Sequence, residues 1–226
     1  MDEIKSGILS KTNSHFIWSG AEIHVKESFT NEKISIKRVL QKVNNSIPSH
    51  LLKGLDAIYV GDFDFLKSRS LEAAFQDGII FLDNKKPSEE ECADDIIHEL
   101  AHLVEQEYGF LIYSDRQVEE EFLLKRKQLW RNLVSENFDV NLSDMLQTDY
   151  NKNLDMFFYQ VVGYSTLSLH TMDLFYSPYG ATSLREYFAN CFEGFFWDKQ
   201  TDRIKKTSPK VFDKLVELLY YKKDEI

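Results

Sequence analysis

Apolar residues alternate with polar ones in short runs along the first half of this chain, and recur at helical spacing along the second. His15 to Val25 reads as an early strand, and Glu32 to Val43 as an amphipathic helix. Asp56-Ala57-Ile58-Tyr59-Val60 has the composition of a buried strand and is closed by Gly61. A further strand, Gly78-Ile79-Ile80-Phe81-Leu82, is entered through Asp77-Gly78, a strong turn signal. Leu71 to Phe75 is its candidate hairpin partner.

The next element has well-marked limits. Pro87 precedes Ser88, an N-cap residue, and Glu91 three positions on completes a capping box. Gly109 is placed to terminate the helix. Between them Ile96, Ile97, Leu100, Ala101 and Val104 share one face, and Asp94, Asp95, His98, His102 and Glu105 the other. Beyond Gly109 the chain reads as mainly helical. Val118, Phe122, Leu129 and Leu133 line one side of a charged helix from about Asp115 to Ser135. Residues 138–151 read as loop, Leu154 to Val162 as an apolar segment, and the stretch up to Ser177-Pro178-Tyr179-Gly180 as less regular. A helix then begins near Ser183 and a last one spans about Pro209 to Tyr221. This order of elements is α+β.

Composition narrows the function. A formal net charge of −10 opposes a nucleic-acid or anionic-membrane partner, and the densest basic run, Lys125-Arg126-Lys127, lies in an acidic helix. No stretch has the length of apolar residues that a membrane span requires. The start, Met1-Asp2-Glu3-Ile4-Lys5, lacks the pattern of a secretory signal, so the expectation is a cytoplasmic protein, or a secreted one whose signal has been removed. Cys92 and Cys191 are too few for a disulfide framework and are expected as buried thiols.

The candidate chemistry sits in His98-Glu99-Leu100-Ala101-His102, an HExxH sequence. Two histidines four apart on a helix are rotated by about 40°, so both imidazoles leave one face and can hold one metal ion. Zinc in such a site lowers the pKa of a bound water to roughly 7, and the intervening carboxylate can take its proton. A third protein ligand is required. Metzincins would place glycine and histidine where this chain has Glu105 and Tyr108, which excludes that class. Glu119, Glu120 and Glu121 stand near a thermolysin-like spacing but read as the solvated face of a helix. Glu186 is the better candidate: from 186 to 196 the helix is apolar nearly all round, and only Glu186, Asn190 and Glu193 form a narrow polar strip. Ser183-x-x-Glu186 is also a capping-box pattern, and the local sequence serves the two readings equally.

These segments resemble a known family, the lethal-factor-like gluzincin metallopeptidases, which include the anthrax lethal factor catalytic domain and the Pro-Pro endopeptidases. The resemblance is carried by the HExxH helix running into Glu107-Tyr108-Gly109, by Ser177-Pro178-Tyr179-Gly180, by Glu186-Tyr187-Phe188-Ala189, and by the last helix around Ser208 to Phe212. It implies that Glu186 is the third zinc ligand beside His98 and His102, with Glu99 as the base. It also implies that Tyr179, seven residues before Glu186, points at the oxyanion. The implied architecture is zincin-like: one domain over 1–226, with a small twisted sheet and the motif helix in an N-terminal lobe (1–109), a mainly helical C-terminal lobe (110–226), and a cleft between. The interval from His102 to Tyr179 is longer than in compact members, so residues 114–165 read as an insertion, and Asn190 stands where the family often has an acid. The resemblance implies a zinc endopeptidase acting on an extended protein or peptide substrate; the sequence leaves the oligomeric state open, with a monomer favoured. The alternative is a zincin scaffold that binds zinc without turnover and serves as an interaction or regulatory module.

Overall fold

The computed structural model describes residues 14–221. They form an α+β structure with a mixed five-stranded sheet, and the chain divides into two compact units, Met1–Glu107 and Tyr108–Ile226.

In the first unit β1 (Ser14–Trp18) and β2 (Ala21–Val25) form a hairpin, where the sequence suggested one strand. The difference comes from Ser19-Gly20, both at positive φ (50° and 91°), which fold the chain back in two residues. β3 (Ala57–Gly61), β4 (Ala73–Gln76) and β5 (Ile79–Asp83) complete the sheet in the order β1-β2-β3-β5-β4. The inner pairs β2–β3 and β3–β5 are parallel and the outer pairs antiparallel. The β4–β5 hairpin turns through Asp77-Gly78, again with two positive φ values, as the dipeptide foretold. Because side chains alternate along each strand, Ile23, Ile58, Val60, Ile80 and Leu82 share one face and are fully removed from water. The opposite face carries a smaller cluster, in which Phe81 packs with Phe63 and Leu66, flanked by Tyr59, Phe65, Ala74 and Ile79. The first helix, α1, spans Ile36–Ser46, later than the pattern suggested, and α2 spans Asp64–Arg69.

The motif helix α3 runs Glu89–Tyr113. Ser88 Oγ accepts the Glu91 amide at 3.1 Å, so one arm of the capping box forms, and Glu89, Glu90 and Glu91 place negative charge against the helix N-terminus. The helix breaks at Tyr108 (φ −119°, ψ 15°), one residue before Gly109, and a second helical stretch follows across this kink to Tyr113.

The second unit is helical. α4 (Gln117–Ser135) buries Val118, Phe122, Leu129 and Leu133 completely, as its pattern required. α5 (Leu142–Met145), α6 (Lys152–Met156) and a wide turn over Phe157–Val162 follow. α7 (Tyr164–Thr171) occupies a stretch that looked irregular, since it has almost no amphipathic contrast to betray it. α8 (Leu184–Phe196), α9 (Thr201–Thr207) and α10 (Pro209–Tyr220) close the unit around an aromatic core in which Phe122, Phe175 and Tyr187 meet at 5.6–6.2 Å between ring centroids. Among the described residues no helix is long and apolar enough to cross a membrane.

Candidate metal centre

The two histidines of the HExxH sequence lie on a regular stretch of α3, so the four-residue spacing acts as geometry requires. Their ring centroids stand 5.3 Å apart and edge to face, at 84°. The ridge behind them, Ile96, Ile97, Leu100, Ala101, Leu103 and Val104, is wholly buried and fixes the rotation of the helix. His102 is itself buried, and its Nδ1 lies 3.5 Å from Glu105 Oε2 one turn on. A carboxylate at Nδ1 favours the tautomer that presents Nε2 as a metal donor. Glu105, whose identity excludes the metzincin pattern, thus also supports the second histidine.

Glu99 faces the sheet. Its Oε2 accepts the backbone amide of Phe75 at 2.7 Å, and Phe75 belongs to β4, the edge strand. One turn earlier Asp95 pairs with Lys86, whose ammonium also meets Glu72 at 2.7 Å and is fully buried. Burial pushes the Asp95 carboxyl up to about 6 against the pull of Lys86, and Glu72 and Glu99 push it further. Burial works against the charged form of Lys86, but its two carboxylate partners outweigh that, and its pKa is raised. The polar face of α3 is therefore densely acidic, with one buried cation offsetting it.

Glu186 stands in the first turn of α8, where Ser183 Oγ accepts its backbone amide at 3.2 Å. The capping pattern is therefore real, but the bond engages the Glu186 backbone and not its carboxylate. His98 and His102 belong to the first unit and Glu186 to the second. Two imidazole nitrogens and a carboxylate oxygen are the donor set of hydrolytic zinc sites, so the residues fit that ion. The competing glutamate is engaged structurally. Glu121 accepts the Tyr187 hydroxyl at 2.7 Å and the Lys210 amide at 3.0 Å, capping α10. It does not lie on an open, solvated face.

Tyr179 sits in the short turn Pro178–Ala181 and is 43% exposed. Two residues whose part in this the sequence did not reveal hold that turn. Asn190 Oδ1 bonds the Ser177 hydroxyl, and Asn190 also lies beside Gly180, where a Cβ would stand in ordinary contact at 3.5 Å from Oδ1. Arg126 is completely buried and spends its guanidinium on the carbonyls of Asp144, Met145, Ala181 and Thr182. Burial lowers its pKa to about 10. A basic run gave no sign that its middle member points inward. Cys92 and Cys191 are free, buried thiols, each raised to about 12 by burial and so unsuited to nucleophilic work.

The chain matches no protein-family model, no curated protein and no solved structure.

Proposed function

We propose that the chain is a zinc-dependent endopeptidase with a zincin-like fold, in which His98, His102 and Glu186 hold the metal. The observation that carries this reading is the pair His98 and His102 on one regular stretch of α3 with Glu99 between them in sequence, and Glu186 completes the donor set that the sequence resemblance implies. Zinc supplies Lewis acidity there, toward water and toward a carbonyl oxygen. The protein residues do the rest. Glu99 takes a proton from the attacking water and delivers it to the amine that leaves when the peptide C–N bond breaks. Tyr179 donates its phenol proton as a hydrogen bond to the developing oxyanion. Glu105 keeps the His102 ring in the tautomer that ligates.

The substrate is an extended peptide segment. Edge strand β4 offers backbone groups for antiparallel strand addition, and the Phe75–Glu99 hydrogen bond supports this reading, since it holds the Glu99 carboxylate beside that edge. Metal analysis together with cleavage of a peptide library tests the assignment. Wild-type protein should carry zinc and cut; Glu99→Gln should carry zinc and not cut. Undiminished cleavage by Glu99→Gln would refute the mechanism. Zinc affinity reduced by Glu121→Ala and untouched by Glu186→Ala would overturn the third ligand.

A further inference from the structure

At the other margin of the sheet lies a second set of metal-ligating side chains that the proposed peptidase does not use. β1 and β2 pair so that His15 stands directly opposite His24, and Glu22, two residues before His24, shares their face. The three supply one donor atom each within 4.8 Å of one another. His24 Nε2 lies 2.8 Å from Glu22 Oε2, and His15 Nε2 lies 3.8 Å from the same oxygen. Both imidazoles therefore turn the same nitrogen toward one carboxylate.

The arrangement is built from behind. The His24 side chain is only 7% exposed, and its ring stacks on Tyr59 at 4.6 Å and 9°. Tyr59 stacks in turn on Phe81 at 5.7 Å. The register makes this a row across the sheet, His15 to His24 to Tyr59 to Phe81. The Phe81 end is locked by the edges of Phe63 and Phe65. His24 is thus held by the core, whereas His15 and Glu22, with side chains 48% and 59% exposed, can adjust from the solvent side.

We propose that His15, Glu22 and His24 form a second metal site, for a divalent transition ion of the zinc type. Bonds of about 2.0–2.2 Å in a tetrahedral site set donor–donor separations of about 3.4 Å. The two separations from Glu22 bracket that value, so entry of the ion needs only a small turn of two exposed side chains. Two imidazoles and one carboxylate select zinc, cobalt, nickel or copper over calcium and magnesium, which prefer all-oxygen shells. Water completes the coordination. The ion joins the two strands of the hairpin and pins β1, which among the described residues is bonded within the sheet to β2 alone. The site is a structural clasp, and it stands independently of the peptidase assignment.

The test uses the full chain and zinc ion alone, with affinity read by chelator competition and ring signals by NMR. In a His98→Asn/His102→Asn protein, one zinc should still bind, moving the imidazole signals of His15 and His24 and slowing amide exchange in β1. Adding His15→Asn or Glu22→Gln, both at exposed positions, should weaken that binding about tenfold or more. Failure of the double variant to bind zinc, or binding indifferent to His15→Asn and Glu22→Gln, would overturn the proposal. The helix site is judged separately, in His15→Asn/Glu22→Gln protein, by loss of its remaining zinc on His98→Asn substitution.

Discussion

Two histidine pairs in the first unit use the same residue types and reach different ends. His98 and His102 project from one helix, edge to face with centroids 5.3 Å apart, and a buried carboxylate, Glu105, backs His102. His15 and His24 face each other across a hairpin, tilted at 33° with centroids 4.7 Å apart, and an aromatic row backs them. The helix pair has an acid between its members in sequence, aimed away at an edge strand. The strand pair has its acid beside it, aimed between the rings. In the proposed roles, the first arrangement leaves a carboxylate to move protons and the second uses its carboxylate as a donor. What separates the proposed catalytic centre from the proposed clasp is thus where the glutamate points, not which residues are present.

The sharpest way to break this contrast is Glu99→Gln. Peptide hydrolysis should fall by about a thousandfold while zinc content stays unchanged; equal loss of both would make Glu99 a part of the binding shell. Next in size is Lys86→Met, which strips the buried partner from Asp95 and should lower stability by about 3 kcal/mol in urea unfolding. A cost below about 1 kcal/mol would show that the acidic face of α3 does not depend on its internal cation.

Glu105→Gln should weaken zinc at the helix pair by roughly ten- to a hundredfold. An unchanged affinity would remove the distinction between a carboxylate-backed and an aromatic-backed pair. Asp95 gives a pH signature. Its folded pKa, about 6, lies above the ordinary value of 3.8, so the native state binds a proton that the unfolded state releases. The stabilisation is complete below about 4 and is lost as pH rises through about 6. Measured against Asp95→Asn, wild-type stability should therefore decline over that interval, and parallel curves would sink the assignment. The smallest expected effect is about 1 kcal/mol of stability lost in Ser88→Ala, through the cap of the motif helix, as urea unfolding would report.

The same comparison explains what could be read from the chain and what could not. HExxH was legible because helix geometry converts a four-residue spacing into proximity without reference to the rest of the fold. Asp77-Gly78 and the Ser88 cap were legible for the same reason, being local. The strand pair was invisible. His15 and His24 meet only through the β1–β2 register, and that rests on a Ser19-Gly20 turn whose first residue is a weak signal for positive φ. Gly109 marked the break at Tyr108 to within one residue, but not that a second helical stretch follows it. Glu121 read as part of a solvated face and Arg126 only as one of a basic run on α4; their partners lie 18 to 89 residues away along the chain, beyond any periodicity. Glu186 was narrowed to two readings, and they do not exclude each other, because the Ser183 cap uses its amide and leaves its carboxylate to the proposed metal.

The hydrogen bond from Phe75 to Glu99 has a further consequence. An amide proton serves one strong acceptor at a time, so while it rests on Glu99 that rung of β4 is closed to any stray strand. The sheet's open margin is guarded by the very acid proposed to do the chemistry. A peptide that settles along β4 must compete for that proton, and in doing so it unfastens the carboxylate, so that occupancy and readiness become one event.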